Sequence, residues 1–328
     1  MGGAAVLVAL ILLSVLYGTT AIPLAEVFAA IATGLGWSDA DPTPMGRIIF
    51  DLRLPRALFS AIIGAGLGIV GVVLQTTTRN DLADPFLFGL SSGAAAGAVL
   101  VITVTGDVLG IWTLPLAAFC GGIVASGIVL ALVQRLRTSA PEKLILAGLA
   151  VSFLFAAITN YLIFAGDSRA AHSVIFWMLG GLGLSRWETF PLVLLGLGMI
   201  FAYALFRRRW LDALLAGDVT ATSLGVPVHR LRMMMFLVAA LSTATFVSVA
   251  GVIGFVGLMV PHLARGLAGP LHTRLVPTAA LIGAMLLTAS DILSRLLLAP
   301  QELPVGVVTT SLGAVFVFAL LLGKRARH

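Results

Sequence analysis

The sequence predicts an all-α polytopic membrane protein with about ten transmembrane helices, in a single domain over residues 1–328. Hydrophobic residues make up 59% of the chain and charged residues only 10%, against about 45–50% and about 25% in soluble domains. Ten apolar helices of about 20 residues would need roughly 200 such positions. The composition therefore excludes a soluble enzyme and a DNA-binding domain.

Nine long apolar segments and one short segment supply the predicted helices in chain order. The long segments cover residues 4–21, 57–75, 87–105, 111–134, 144–165, 190–206, 233–253, 276–299 and 304–322. Each is long enough to cross a bilayer. The tenth segment, residues 255–264, is short, so we expect it to pass the membrane packed inside protein.

The distribution of Lys and Arg predicts the orientation of the chain. With ten crossings, fourteen of the 20 basic residues fall in one set of loops and tails and six in the other. Lys and Arg near the ends of spans are retained in the cytoplasm. The richer set and both termini are therefore predicted to be cytoplasmic, and the net charge of +6 indicates topology rather than a nucleic-acid partner.

Glycines are concentrated in two of the predicted spans. Gly64, Gly68 and Gly71 lie in one span, and Gly93 and Gly97 lie in another. Small residues at this spacing let helix backbones approach closely in lipid. We therefore expect tight helix packing at these positions.

The chain has no motif for catalysis, for nucleotide hydrolysis or for a metal. Its only Gly-Lys pair, Gly323-Lys324, is followed by Arg325, which does not match a phosphate-binding loop. The five histidines lack the paired spacing of metal ligands. We expect no catalytic residue, and no cofactor or metal bound by this chain.

Two groups of charged residues lie near the predicted external ends of spans. Asp291 and Arg295 are four residues apart on one helix and can form an ion pair on a common face. Arg53 and Arg56 are three apart at the start of a span. The ion pair either stabilises the helix or takes part in docking or gating. The two arginines either anchor the helix at the membrane interface or bind an acidic external partner.

The most polar cytoplasmic segment covers residues 207–232. Gly217 precedes an acidic residue, Asp218, and Gly225 follows seven residues later, a pattern that indicates a short helix with an acidic start and a glycine stop. A surface helix of this kind could contact a soluble motor protein.

Several of these segments together resemble the FecCD family, the permease subunits of ABC importers for iron–siderophore complexes, haem and vitamin B12. The matching pieces span nearly the whole chain and also include residues 80–85, 87–94, 146–148, 177–181 and 224–226. They also include Arg53-Leu54-Pro55-Arg56. The most specific piece is Gly254-Phe255-Val256-Gly257-Leu258-Met259-Val260-Pro261-His262-Leu263-Ala264-Arg265, which is followed along the chain by Glu302-Leu303-Pro304-Val305-Gly306-Val307-Val308-Thr309.

The resemblance implies a permease subunit of a type II ABC importer in the bacterial inner membrane. It implies a homodimer with the pathway along its two-fold axis, two cytoplasmic ATPase subunits that use ATP and Mg²⁺, and a periplasmic substrate-binding protein. The implied cargo is an iron chelate, a ferric siderophore or haem, with vitamin B12 as the alternative. An ion-coupled secondary transporter is a weaker alternative, because only Asp291 and Asn160 are candidate polar groups at mid-membrane.

The resemblance also gives individual residues a role. Arg53, Arg56 and Arg295 match positions that meet acidic residues on the binding protein. The helix that couples to the ATPase would contain Asp218, Ala221, Leu224, Gly225 and Val226. The residues that would line the pathway or hold its helices are Asn80, Pro85, Gly89, Ser91, Gly93, Gly254, Gly257, Pro261 and His262. For His262 we expect a packed structural role rather than a ligand role.

Three positions depart from the family pattern. Asp81 stands where proline is common, Val219 where an acidic residue often follows the aspartate, and Ala314 where proline is frequent. The first two lie in predicted cytoplasmic loops, so they affect the details of the contact with the motor.

Overall fold

The computed structural model describes residues 2–18, 22–38, 41, 43–135 and 141–323. Within these ranges the chain forms helices and no strand. The α-helices are α1 Gly2–Leu16, α2 Leu24–Gly34, α3 Pro44–Arg47, α4 Leu54–Thr78, α5 Leu90–Leu100, α6 Thr113–Arg135, α7 Pro141–Ala165, α8 Ser168–Met178, α9 Phe190–Phe206, α10 Arg208–Leu215, α11 Asp218–Ser223, α12 Val228–Ala250, α13 Val256–Ala268, α14 His272–Leu296 and α15 Val305–Gly323.

Two π-helical stretches lengthen these helices. Ile48–Arg53 joins α3 to α4, and Val101–Thr105 continues α5. Three short 3₁₀ turns, Pro85–Phe88, Gly110–Trp112 and Trp187–Thr189, precede α5, α6 and α9.

Every predicted apolar segment coincides with a helix in the described part of the chain. Seven helical segments are long and apolar enough to cross a membrane: Pro44–Thr78, Gly110–Arg135, Glu142–Ala165, Trp187–Phe206, Val228–Ala250, His272–Leu296 and Val305–Leu322. The other three predicted spans correspond to the shorter helices α1, α5 with its extension, and α13. The all-α membrane architecture is confirmed, with ten as an approximate count.

Among the described helices, α2, α3, α8 and α10 were not predicted. α2 and α8 have 11 residues each, too few to cross a bilayer, and neither carries a long apolar run. Some predicted features lie outside the described residues: residues 19–21 of the first span, Arg137, and the basic tail over residues 324–327.

Helix α4 forms the centre of the bundle, and its glycines set the spacing to its neighbours. A Cβ on Gly64 would overlap the carbonyl oxygen of Gly283 in α14, and a Cβ on Gly71 would overlap that of Gly257 in α13. In the same way Gly97 of α5 lies against the backbone of Ala117 in α6. The close packing predicted from the glycine spacing is therefore confirmed.

Candidate transport, docking and coupling sites

A buried cluster of charges lies where the start of α4 meets the end of α14. The Nε of Arg56 donates to Asp291 Oδ1 at 2.9 Å, and its Nη1 donates to Glu302 Oε2 at 2.8 Å. The Nη2 of Arg295 lies 3.0 Å from Asp291 Oδ2. The predicted pair of Asp291 and Arg295 is thus confirmed, and it is part of a larger network.

Two of the three predicted docking arginines bind the end of α1. Arg295 Nη1 donates to the carbonyl oxygens of Ser14 and Tyr17, both at 2.9 Å. Arg53 Nη1 donates to the carbonyl oxygens of Val15 at 3.0 Å and Leu16 at 3.3 Å. The last carbonyls of a helix lack partners within it, and cations stabilise this negative end. Both guanidiniums therefore fasten α1 to the bundle.

None of the three arginine side chains is fully exposed to solvent. The side chain of Arg295 is buried beneath α1, Arg53 is half-buried, and Arg56 is 15% exposed. The sequence could not show this, because the cover is a helix almost 280 residues away from Arg295. The docking role of these residues stays a prediction.

A hollow of about 550 Å³ opens on the surface formed by α8, α13, α15 and the irregular segment before α13. Its lining is mainly apolar and is interrupted by a buried carboxylate, Asp84, and by the hydroxyl residues Thr310 and Ser311. Phe255 adopts a left-handed conformation, with φ of 66°, at the point where the segment turns into α13. This arrangement gives a smooth wall with few groups that could grip a solute.

Of the predicted pathway residues, Gly254 lines this hollow directly. Gly257 lies behind it, where a Cβ would come within 2.9 Å of Pro85 Cδ. Pro261 is buried inside α13. His262 differs from the expectation of a packed residue, since it is exposed on the outer face of α13 and its ring lies 5.4 Å from that of Phe316.

The remaining motif residues shape the connection from α4 to α5. Asn80 Oδ1 accepts a hydrogen bond from the backbone N–H of Leu82 at 2.9 Å, which forms a tight turn. Gly89 has a φ of 78° at the start of α5, a conformation that glycine adopts without strain. Ser91 is buried, and Gly93 packs on Gly121 of α6. Asn80 and Gly89 shape the connection and Ser91 and Gly93 pack within α5, and none of the four lines the hollow.

The polar segment between α9 and α12 contains the predicted surface helix. α11 begins at Asp218 and is followed by Gly225 with a φ of 80°, as the sequence indicated. Ala221 and Val226 face inward and are buried, whereas Val219 is 82% exposed and Leu224 69% exposed. The helix therefore has an anchored face and an apolar face that is open at the surface.

A buried arginine connects α11 to the end of α4. Arg232 of α12 holds the Asp218 carboxylate through Nη1 and Nη2, both at 2.8 Å. Its Nε donates to the carbonyl oxygen of Thr77 in the last turn of α4 at 2.7 Å. Bidentate pairing of this kind fixes both position and angle, so Arg232 ties α11 directly to the last turn of α4.

A histidine makes a second connection to the same turn. His272 Nδ1 lies 2.7 Å from Asp212 Oδ1 of α10, and its Nε2 lies 3.0 Å from Thr76 Oγ1 of α4. No sequence pattern predicted a role for Asp212, Arg232 or His272. Their separation in the chain left no local pattern by which to group them.

A bundle of apolar helices with an open, mainly uncharged hollow and a surface helix tied to its central span defines a multi-pass membrane protein of the transport class. The chain belongs to the FecCD transport family, whose model matches residues 6–323. It is accordingly a permease subunit of an FecCD-type ABC importer, a transport subunit rather than an enzyme.

Relatives and solved structures agree on this class. The chain is 40% identical to the cobalamin import system permease protein BtuC of Halobacterium salinarum, over 85% of this chain and 74% of the relative. It is 36% identical to the hemin transport system permease protein HmuU of Yersinia pestis, over 89% and 88%. A structure described as an inward-facing conformation of a proposed metal-chelate type ABC transporter is similar over 98% of both chains, with a TM-score of 0.84 and 30% identity. The class is shared, and the cargo differs.

Proposed function

We propose that the chain forms half of a homodimeric permease that moves an iron chelate, a ferric siderophore or haem, from the periplasm to the cytoplasm. The permease lies in the bacterial inner membrane with both termini in the cytoplasm. Two ATPase subunits bind on the cytoplasmic side and use ATP and Mg²⁺, and a periplasmic binding protein delivers the cargo. The chain itself holds no cofactor.

The observation that carries this proposal is the attachment of α11 to α4. The exposed residues Val219 and Leu224 offer an apolar contact to the ATPase. The opposite face is held by Arg232, which also binds the last turn of α4. ATP binding would move α11, and α4 would tilt with it and open one side of the dimer.

The apolar wall of the hollow beside α13 is consistent with a bulky cargo that passes through without binding tightly. Its wall is mainly apolar, and a solute slides where few groups bind it. Cobalamin is a second candidate cargo, favoured by the 40% identity to a cobalamin permease. An ion-coupled carrier is disfavoured, because Asp291 already pairs with Arg56 and Arg295.

The external cluster supports docking of an acidic partner. Arg56 is 15% exposed, and its partner Glu302 is 41% exposed. Arg53 and Arg295 would take part through α1, whose end they hold. All three positive charges lie at the end of the bundle opposite α11, which suits a binding protein on the far side of the membrane.

The test is capture of the ATPase by the tagged chain from host membranes, with mass spectrometry of the bound proteins. The variant Leu224→Glu places a charge in the proposed apolar contact, where desolvation is costly. We expect the wild type to retain a near-stoichiometric ATPase and Leu224→Glu to lose it.

The matched control is Leu267→Glu, at an exposed leucine outside α11, which should retain the ATPase. No ATPase with the wild type, even after mild cross-linking, would contradict the proposal. Full retention by Leu224→Glu would remove α11 from the contact. Competition of uptake by haemin, ferrichrome and cyanocobalamin then distinguishes the cargoes.

A further inference from the structure

Arg207 lies at the junction of α9 and α10, and none of the described residues gives it an anionic partner. Its guanidinium carbon is 4.1 Å from the ring centroid of Trp210 and 4.9 Å from that of Phe206. Stacking on aromatic faces stabilises the cation but supplies no acceptor for its N–H groups. Within the described part of the chain the buried Nε makes no hydrogen bond, and no carboxylate there neutralises the guanidinium.

A hollow of about 260 Å³ lies next to this arginine. It is bounded by Tyr203, Arg207 and Trp210 on one side and by Pro227, Arg230 and Met234 on the other. No acidic side chain lines it, and neither Arg207 nor Arg230 has an ion pair with any described residue.

Other arginines at the same end of the bundle behave differently. Arg232 pairs with Asp218 at 2.8 Å, and Arg265 pairs with Asp81 at 3.2 Å. Among the residues that the structure describes, carboxylates therefore pair with those cations and none pairs with the two at the hollow. An anion from outside the chain would complete the site.

The start of α12 adds to the positive potential. This 23-residue helix begins at Val228, and Pro227 before it supplies no side-chain cap. The first N–H groups of a helix lack partners within it and carry a partial positive charge that attracts anions. The hollow lies against this end of the helix.

Apolar side chains beside the hollow indicate the source of the anion. Phe206 is 74% exposed, and Met234 is also exposed. Tyr203 and Trp210 are of the residue types that collect at the membrane–water interface. A ligand with an anionic head and apolar tails matches both parts of this surface, whereas free phosphate would leave the apolar part uncovered.

We propose that the hollow binds the headgroup of an anionic phospholipid, with Arg207 and Arg230 on the phosphate and Phe206 and Met234 on the acyl chains. Each arginine near the phosphate contributes about a fivefold gain in affinity. The site lies where the chain enters α10 and where it leaves α11, so a bound lipid would hold both ends of the segment that carries the proposed coupling helix. That consequence rests on the proposed function, but lipid binding does not.

The test uses the purified full chain in a non-ionic detergent, titrated with dioleoylphosphatidylglycerol and followed by native mass spectrometry. We expect specific binding that is not reproduced by dioleoylphosphatidylcholine. Arg230→Gln should weaken it about fivefold and the double variant Arg207→Gln/Arg230→Gln about thirtyfold. The double variant Arg207→Lys/Arg230→Lys, which keeps both charges, should retain most of the affinity.

Arg274→Gln is the matched control, since it removes an exposed charge outside the hollow and should leave binding unchanged. Arg230 is exposed, so its single variant tests the site even if the double variant does not fold. Equal affinities for wild type and Arg230→Gln would overturn the proposal, as would competition by inorganic phosphate at the concentration of the lipid. Loss of ATPase capture by Arg230→Gln with unchanged lipid affinity would instead identify a protein contact.

Discussion

Replacing Asp291 by Asn tests whether the buried charge cluster of Arg56, Asp291 and Arg295 stabilises the bundle. The carboxylate is fully buried and lies between Arg56 at 2.9 Å and Arg295 at 3.0 Å. Asn keeps the shape and removes the negative charge. Two guanidiniums would then share a buried site without their common counter-ion.

The loss of stability in Asp291→Asn depends on the partners that Arg56 and Arg295 retain. Removing one partner of a buried ion pair costs about 3–5 kcal/mol. Arg56 would retain Glu302, and Arg295 would retain the carbonyl oxygens of Ser14 and Tyr17, so we expect the lower end, about 3 kcal/mol. Glu302→Gln is the matched control, because its carboxylate is 41% exposed and exposed pairs contribute about 0–1 kcal/mol.

The assay is thermal unfolding of the detergent-solubilised chain, followed by tryptophan fluorescence. A loss of 1 kcal/mol lowers the Tm of a large domain by about 2–4 °C. We therefore expect a drop of about 6–12 °C for Asp291→Asn and at most about 4 °C for Glu302→Gln. Equal drops for the two variants would refute the conclusion that the buried pair is the stabilising one.

Two further predictions concern the centre of the bundle and the end that carries α10 and α11. Gly71→Ala should cost about 1–3 kcal/mol, because its Cβ would overlap the carbonyl oxygen of Gly257. A Cβ on Gly198 in α9 would meet no atom within 4 Å, so Gly198→Ala should stabilise the protein by up to about 1 kcal/mol and raise its Tm. A lower Tm for Gly198→Ala than for Gly71→Ala would contradict the packing. Asp212→Ala removes hydrogen bonds to the ring and backbone of His272, so amide exchange in α10 and α11 should accelerate about tenfold. Asp81→Ala, at an exposed pair with Arg265, is the control, and equal exchange in the two variants would argue against the connection through His272.

The features that follow from local sequence were predicted well. Long apolar runs gave every predicted span, and glycine spacing gave the close packing at Gly64 and Gly71, although not the identity of the neighbouring helices. Asp291 and Arg295 were paired correctly because residues four apart share a helix face. The bounds of α11 followed from Asp218 and Gly225. The motifs also gave the family, which its model confirms.

The short helices α2 and α8 were not predicted, because the prediction depended on long apolar runs. α2 and α8 have 11 residues each and no apolar run long enough to stand out among the spans. Their position depends on the helices that they cover. The exposure of His262 was likewise decided by the neighbours of α13.

Only the tertiary structure decided how the charged residues are used. Arg56 meets Asp291 across 235 residues, and Arg232 meets the Thr77 carbonyl across 155. The sequence determined where the helices run, because hydrophobicity and helical periodicity act over neighbouring residues. Which buried charge meets which partner depends on the packing of helices distant in the chain, and that packing placed Arg295 under α1 and Arg232 between α11 and α4.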